Sequence, residues 1–354
     1  MSYSPAIGDK GVIEDDGTGA WIFSKAATPT LNDKGGLVPV PGGLPVFIKA
    51  QAPAVLAKGI LIPVPGSLPV FISSVSTPSP GTLLAKWSTL ANPYGLWYDP
   101  NSGNVFVVDP TANLSAGAFA EYTAAGAVVI PSTSLTGNPA SPNDVMVDSS
   151  GNIYVVGQYY IVKYNSSLVY QTHYHLTSFS STAQRCAIDT SNSLIYVSTV
   201  VSPNSNVDVY NLSGVWQRSL DSVTGTAGYH GIALDSAGNV YICYSDGTVT
   251  KFSSAGGAPI WAVTPPIIGG LAISGPLGLA YVHDHIYMSD SGNNRILIFD
   301  SAMTYQSLWN SYNDGGTIKN FSGLTDIVGD TTTGHIFVGN AGTSEILKLQ
   351  GLTS

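Results

Sequence analysis

The sequence predicts an all-β protein of 354 residues: a closed ring of six four-stranded antiparallel sheets, preceded by an extended Pro/Val-rich arm. Three observations predict it. An apolar strand, a turn and a second apolar strand recur six times, with spacings of 49, 41, 46, 47 and 48 residues between Tyr94, Asn143, Gln184, His230, Leu277 and Thr325. A fixed period of this length marks supersecondary units that bury their apolar faces only by stacking on one another. The polar positions are filled by Gly, Ser, Thr and Asn more than by Lys and Glu, which suits strands and tight turns over surface helices. Finally, the strand count is one short at the C-terminal end and one over at the N-terminal end, as a ring closed by its own chain requires.

Each unit opens with a short apolar strand, often ending in Asp: Tyr94-Gly95-Leu96-Trp97-Tyr98-Asp99, Asn143-Asp144-Val145-Met146-Val147-Asp148 and Gln184-Arg185-Cys186-Ala187-Ile188-Asp189 are the first three. His230–Asp235, Leu277–Val282 and Thr325–Asp330 are the others. A turn follows, as in Asp148-Ser149-Ser150-Gly151-Asn152 and Asp235-Ser236-Ala237-Gly238-Asn239. Asp bonds its own backbone two residues on and Gly accepts positive φ, so these are hairpin turns. The bland turn role therefore accounts for Asp99, Asp148, Asp189, Asp235 and Asp330.

The second strand is β-branched and aromatic, as in Ile153-Tyr154-Val155-Val156 and Val240-Tyr241-Ile242-Cys243. The third alternates, as in Ile161-Val162-Lys163-Tyr164 and Ile346-Leu347-Lys348-Leu349. The fourth carries an aromatic, as in Tyr170-Gln171, Trp216-Gln217, Trp261 and Tyr305-Gln306. Beyond Leu349 only five residues remain, too few for an outer strand. A spare one, Leu83-Leu84-Ala85-Lys86-Trp87, precedes the first unit. It is predicted to complete the last sheet, which removes an exposed sheet edge. Four strands per repeat of this length is the blade of a β-propeller.

Asp290-Ser291-Gly292-Asn293-Asn294-Arg295-Ile296-Leu297-Ile298-Phe299 resembles the signature of NHL-repeat propellers, and looser copies such as Gly228–Tyr241 agree. The resemblance covers about residues 82–354. It implies the six-bladed fold. For function it implies a wide range: metal-dependent lyases, lactonase-like enzymes, sensor domains and protein-binding platforms.

Residues 1–80 do not follow the blade pattern. They hold a duplication with a period of 24: Lys34-Gly35-Gly36-Leu37-Val38-Pro39-Val40-Pro41-Gly42-Gly43-Leu44-Pro45-Val46-Phe47-Ile48 recurs as Lys58-Gly59-Ile60-Leu61-Ile62-Pro63-Val64-Pro65-Gly66-Ser67-Leu68-Pro69-Val70-Phe71-Ile72. Pro alternating with Val favours an extended chain with few free donors, and Pro inside a strand-like run points to an edge. Two readings stand. One is an anchoring arm lying on partner subunits, with Leu37, Val38, Pro39, Val40, Pro41, Phe47, Leu61, Ile62, Pro63, Val64, Pro65 and Phe71 as the contacts. Tandem copies would double the linkage. The other is a two-strand pad packed under the ring. Ser74–Gly81 reads as a hinge. The predicted domains are thus 1–80 (arm) and 81–354 (propeller).

Composition narrows the function. Net charge is -9, which disfavours a sequence-independent grip on nucleic acid phosphates. Mean hydropathy is +0.19, but the apolar stretches are cut by prolines and none is long enough to span a membrane. The first ten residues lack the basic and apolar regions of a Sec signal. Cys186 and Cys243 lie in strands of different repeats and read as buried free thiols.

A propeller enzyme places its chemistry where the first strands face the central channel. That rim is Tyr94, Asn143, Gln184, His230, Leu277 and Thr325, with Asp144, Arg185 and Asp326 beside them. The binding residues expected there are Tyr94, Asn143, Asp144, Gln184, Arg185, His230, Thr325 and Asp326. A zinc lyase needs several His donors, and His230 is the one on this rim. Asn143, Asp144 and Asp326 could supply oxygens to a divalent cation. His283-Asp284-His285 and His335 fall on turns at the opposite face, and His173 and His175 share one face of an outer strand. No catalytic metal and no cofactor is expected on the favoured reading; the alternative places a divalent cation in the channel. No Gly-x-Ser-x-Gly elbow or P-loop appears.

The favoured function is a non-enzymatic structural or attachment protein. A rigid propeller head presents a face to a glycan or protein receptor, and residues 1–75 fix it to protein subunits of a larger assembly at a virion or extracellular surface. The alternative is a metal-dependent lyase or lactonase-like hydrolase. Neither involves nucleic acid or membrane insertion.

Overall fold

The computed structural model describes residues 81–352, apart from 112–116, 138, 140, 177–181, 201–205 and 221–227, and four strands in the N-terminal segment. The chain divides into two compact units, residues 1–78 and 79–354.

The larger unit holds six four-stranded antiparallel sheets, five of them ordered as the strands occur in the chain and the sixth completed by a strand from the other end of the unit. Blade I is Gly95–Asp99, Asn104–Asp109, Ala118–Thr123 and Val128–Ser134. Blade II is Asp144–Val147, Ile153–Val156, Tyr160–Tyr164 and Tyr170–His175. Blade III is Thr182–Asp189, Leu194–Val200, Asn206–Asn211 and Trp216–Leu220. Blade IV is Tyr229–Leu234, Val240–Tyr244, Val249–Phe252 and Trp261–Val263. Blade V is Pro276–Val282, His285–Asp290, Arg295–Asp300 and Tyr305–Trp309.

Blade VI takes three strands from the C-terminus, Leu324–Asp330, His335–Asn340 and Glu345–Gln350, and its fourth from Leu83–Ser88. That strand pairs antiparallel, with Trp87 opposite Ile346 and Ala85 opposite Lys348. The predicted closure is therefore realised by the predicted residues. Trp87 also packs its ring against Tyr122 of blade I and Phe337 of blade VI, so the clasp joins two blades.

The hairpins are set by short polar side chains. Asp148 Oδ1 accepts the Ser150 and Asn152 backbone N–H groups, both at 2.9 Å, and Gly151 adopts φ +77°. Asp235 does the same for Ala237 and Asn239. The turn into the fourth strand repeats the device: Asn165, Asn211 and Asp300 each accept from the residues two and four positions on. One side chain thus satisfies two turn donors that water would otherwise have to solvate. The blade V hairpin turns on His283 and Asp284, both at positive φ, as a two-residue turn of the primed type demands.

The core lies between blades. Phe337 and Ile346 of blade VI pack with Leu96, Val105, Val107 and Ala120 of blade I. Tyr98 stacks on Phe337 with ring centroids 5.2 Å apart. Cys186 and Cys243 are buried free thiols. A hairpin, Ser311–Asp314 with Thr317–Asn320, is inserted between blades V and VI and lies outside the sequence expectation.

In the N-terminal unit two hairpins are described, Gly11–Asp15 with Trp21–Lys25 and Lys58–Ile62 with Val70–Ser74. In the second, Leu61 faces Phe71 and Ile62 faces Val70. The two flanks of this copy, rich in β-branched and aromatic residues, therefore pair with each other as antiparallel strands. Leu37, Val38, Pro39, Val40, Pro41, Phe47, Pro63, Val64 and Pro65 lie outside the described residues.

Candidate functional site: the central channel

The first strands of the six blades line the channel. In blades III to VI each carries a register shift near its start, at Gln184, between Tyr229 and Ile232, at Leu277, and between Leu324 and Ile327. A bulge re-aims the local backbone and leaves a residue outside the ladder. Here it frees the Gln184 and Leu277 carbonyls to meet a side chain.

That side chain is Arg185, which is buried to 2% exposure. Its Nε donates to the Leu277 carbonyl at 3.0 Å, Nη1 to the Asn143 and Gln184 carbonyls at 3.1 and 3.0 Å, and Nη2 to the Tyr94 carbonyl at 3.2 Å. The guanidinium carbon lies 4.3 Å from the Tyr94 ring centroid. Asp326 Oδ1 is 3.7 Å from Nε. One cation therefore bridges the start of blade I and blades II, III, V and VI. The planar, multi-donor guanidinium suits this role in a way an ammonium does not.

Two carboxylates complete the closed end. Asp144 accepts the Val145 N–H and, across the blade boundary, the Cys186 N–H at 2.7 Å. Asp326 accepts the Ile327 N–H and, across the ring closure, the Leu96 N–H at 3.0 Å. Burial pushes the Asp144 carboxyl well up, and the Asp326 charge adds to this; Arg185 opposes both. Burial also raises Asp326, again against Arg185. The Cys186 thiol is pushed up by burial and the Asp144 charge, so it is no thiolate nucleophile. His230 is lowered to about 4, first by burial and then by the Arg185 charge, and its Nδ1 has no hydrogen-bond partner.

Thus Tyr94, Asn143, Asp144, Gln184, Arg185, Thr325 and Asp326 converge at one end of the channel, with His230 beside them. The Asn143, Asp144, Arg185, Thr325 and Asp326 side chains and the Tyr94 and Gln184 carbonyls are engaged in fastening blades. Asn143 Nδ2 donates to the Ala183 carbonyl at 2.6 Å, and the Thr325 hydroxyl to the Pro93 carbonyl. Two serines belong to the same network and were not foreseen: Ser198 Oγ donates to the His230 carbonyl and Ser289 Oγ to the Thr325 carbonyl. A small polar residue at the same place in two apolar second strands was the available signal.

Below Arg185 the channel widens into a cavity of about 320 Å³, open at the face that carries the first-to-second strand turns. Leu96, Val147, Ala187, Ile232, Leu279 and Val328 line it, one from each blade. Exposed Asn101, Ser149, Thr190 and Thr331 surround its mouth.

Among the described residues no three His, Cys, Asp or Glu side chains group so as to hold a metal ion. The four oxygens of Asp144 and Asp326 each already accept a backbone N–H, and His230 is the one imidazole nearby. The donor set does not fit a three-ligand catalytic site. His283 Nε2 lies 3.0 Å from the Thr331 carbonyl and His285 Nδ1 2.7 Å from the His283 carbonyl, which ties the first ring to the neighbouring turn of blade VI and the second into its own turn.

No family model and no curated protein matches the sequence. Solved structures do match. Virginiamycin B lyase from Staphylococcus aureus is 14% identical over 75% of this chain and 98% of that one, with a TM-score of 0.55. A catalytically inactive variant of the same lyase, with quinupristin, gives 14% identity, the same coverages and a TM-score of 0.52. A chain of a nidogen/laminin complex is 13% identical over 62% of this chain and 80% of that one, with a TM-score of 0.50. The likeness is one of fold. It spans a lyase and a binding protein, and the six-bladed propeller is what they share with this chain.

Proposed function

We propose that the protein is a non-enzymatic binding head, held in a larger assembly by its N-terminal segment. The observation that carries this reading is a girdle of exposed apolar side chains. Tyr170 begins the fourth strand of blade II, Trp216 that of blade III and Tyr305 that of blade V, while Val169, Val215 and Ile260 immediately precede the fourth strands of blades II, III and IV. Val128 and Val129 hold the corresponding place in blade I. All lie at the same end of their strands, on the side of the cavity mouth. Trp216 is 46% exposed and Val215 56%. Recurrent exposed aromatic and branched residues at one level of a rigid ring suit a protein or glycan receptor.

The tied-down state of the rim supports the same reading, because residues that would otherwise perform chemistry hold the blades together. The duplicated Pro/Val segment is the anchoring candidate, and the low charge of the chain suits an exterior surface such as a phage particle. Two experiments test this. Full-length protein and the Trp216→Ser/Tyr305→Ser variant are compared for binding to a glycan array and to host envelope fractions. We expect the variant to lose binding while keeping its melting temperature; equal binding sinks the receptor face. Residues 76–354 alone should fold yet fail to enter the parent assembly; normal incorporation sinks the anchor.

A second reading follows from the fold shared with a lyase: a metal-dependent lyase or lactonase-like hydrolase with a divalent cation near Asn143, Asp144, His230 and Asp326. Native mass spectrometry with metal analysis of the full chain tests it. A stoichiometric bound cation would revive it against the donor geometry described above.

A further inference from the structure

We infer that the central channel is a binding site for a small, uncharged, largely apolar molecule, entered from the turn face. This is independent of the receptor face proposed above. The cavity, at about 320 Å³, falls at the small end of the range for ligand pockets. It is blind, since Arg185 and its carbonyl partners close the far end. Between the polar mouth and the closed end every blade contributes at least one apolar side chain to the wall, so water there finds few partners until it reaches Asp144, Arg185 and Asp326 at the end. Replacing such water with apolar surface is favourable.

The charge distribution selects against ions. An anion would face two buried carboxylates, while the single guanidinium is already engaged by four carbonyls. A cation would shed its hydration beside buried Arg185, and the four Asp144 and Asp326 oxygens that would have to replace that water each already accept a backbone N–H. A neutral molecule pays neither cost. Near the mouth, Tyr98 and Tyr281 contribute aromatic lining, and the Tyr281 hydroxyl is committed to Asp284 at 2.8 Å. That lining favours a ligand with a planar or aromatic portion.

The test uses the full chain and two fluorescent probes on one scaffold: neutral N-phenyl-1-naphthylamine and its anionic 8-sulfonate. We expect saturable one-to-one binding of the neutral probe and binding of the sulfonate weaker by at least about tenfold. Ala187→Phe and Leu279→Phe, which fill the cavity, should each weaken the neutral probe by at least about tenfold, while Trp216→Ser/Tyr305→Ser should leave it unchanged. Absence of saturable binding, equal affinity for the sulfonate, or loss of signal only in the surface variant would overturn the inference. A second readout needs no filled cavity. Trp97 lines the channel, so energy transfer to bound probe should fall more in Trp97→Phe than in Trp216→Phe. The reverse order places the probe on the outer surface and overturns the site.

Discussion

Arg185 Nε donates to the Leu277 carbonyl at 3.0 Å, joining two residues 92 positions apart on different blades. The contact exists because the first strand of blade V bulges at Leu277 and turns that carbonyl toward the axis. Asp326 lies on the same guanidinium at 3.7 Å, and Asp144 is held one blade away by the Cys186 N–H. A buried cation is costly unless paired and hydrogen-bonded. Here it is both, and it links five of the six blades.

Removing that cation should be severe. In Arg185→Met, two buried carboxylates lose their counter-charge and four carbonyls lose a donor. The expected loss is about 3–5 kcal/mol in urea unfolding. Arg185→Lys should recover little, because an ammonium lacks the fork that reaches several carbonyls. Adding Asp326→Asn to Arg185→Met should restore part of the loss, since the uncompensated charge goes too. A double variant worse than the sum of its parts would contradict the pairing.

His230 gives a pH signature of known sign. Its folded value is lowered to about 4 from an ordinary value of 6.5, so below about 6.5 the unfolded chain takes up a proton that the folded chain refuses. Stability from this group is fully present above 6.5 and is lost as pH falls toward 4. The loss is on the order of 2 kcal/mol after allowance for partial exposure. Asp144 and Asp326 act in the opposite sense: their raised values favour protonation in the folded state, which adds stability as pH falls. Comparing the native chain with His230→Asn between pH 7 and 4.5 removes the carboxylate contribution common to both. The variant should show the shallower acid decline; parallel curves would refute the buried neutral imidazole.

Much of the fold was legible because the repeat writes each blade twice over, in apolar periodicity and in turn chemistry. Asp148 and Asp235 announce their turns by their own side chains. Leu83–Trp87 betrays the closure as a strand without a neighbour in sequence. The channel end was legible in membership but not in role. Asp144, Arg185 and Asp326 sit at the expected rim, yet the sequence does not say that Arg185 points across the ring at carbonyls, because backbone acceptors have no letter. The serines at 198 and 289 were missed for a related reason: their partners are the carbonyls of His230 and Thr325 on the next blade. The inserted hairpin at 311–320 carries polar residues on both strands and offers no apolar alternation to read.

The glycines at the rim make a further prediction. A Cβ on Gly278 would collide with the Asp326 carboxylate and the Ile327 backbone, and a Cβ on Gly95 with the Asn143 carbonyl and Asp144. Close approach of adjacent first strands requires a residue without a side chain at these points. Gly278→Ala should therefore cost about 1–3 kcal/mol through overpacking. Gly103 is the control for its site, since nothing surrounds its missing Cβ, although its φ of +71° carries a strain of its own. Thermal melts of both variants decide the matter. A Gly278→Ala protein as stable as the native chain would mean the blades can spread at no cost.

The last prediction concerns the clasp. Residues 1–75 precede the closing strand, whereas Leu83–Ser88 is the fourth strand of blade VI. Deleting 1–75 should leave the melting temperature of the ring nearly unchanged. Deleting 1–87 removes the pairing with Glu345–Leu349, uncovers Ile346 and Leu347, and takes Trp87 from between Tyr122 and Phe337. It also severs the Lys86 bridges to Glu345 and Asp314 at 3.2 and 2.9 Å, though exposed ion pairs of this kind contribute little by themselves. The dominant losses are buried apolar area and an unpaired sheet edge at the third strand of blade VI. Differential scanning calorimetry should show a markedly lower transition for 88–354 than for 76–354, and the shorter protein should self-associate through the bared edge. A synthetic peptide spanning 81–90, added in excess, should restore part of the lost stability by mass action. Equal melting of the two truncations would mean that blade VI is held by its neighbours alone.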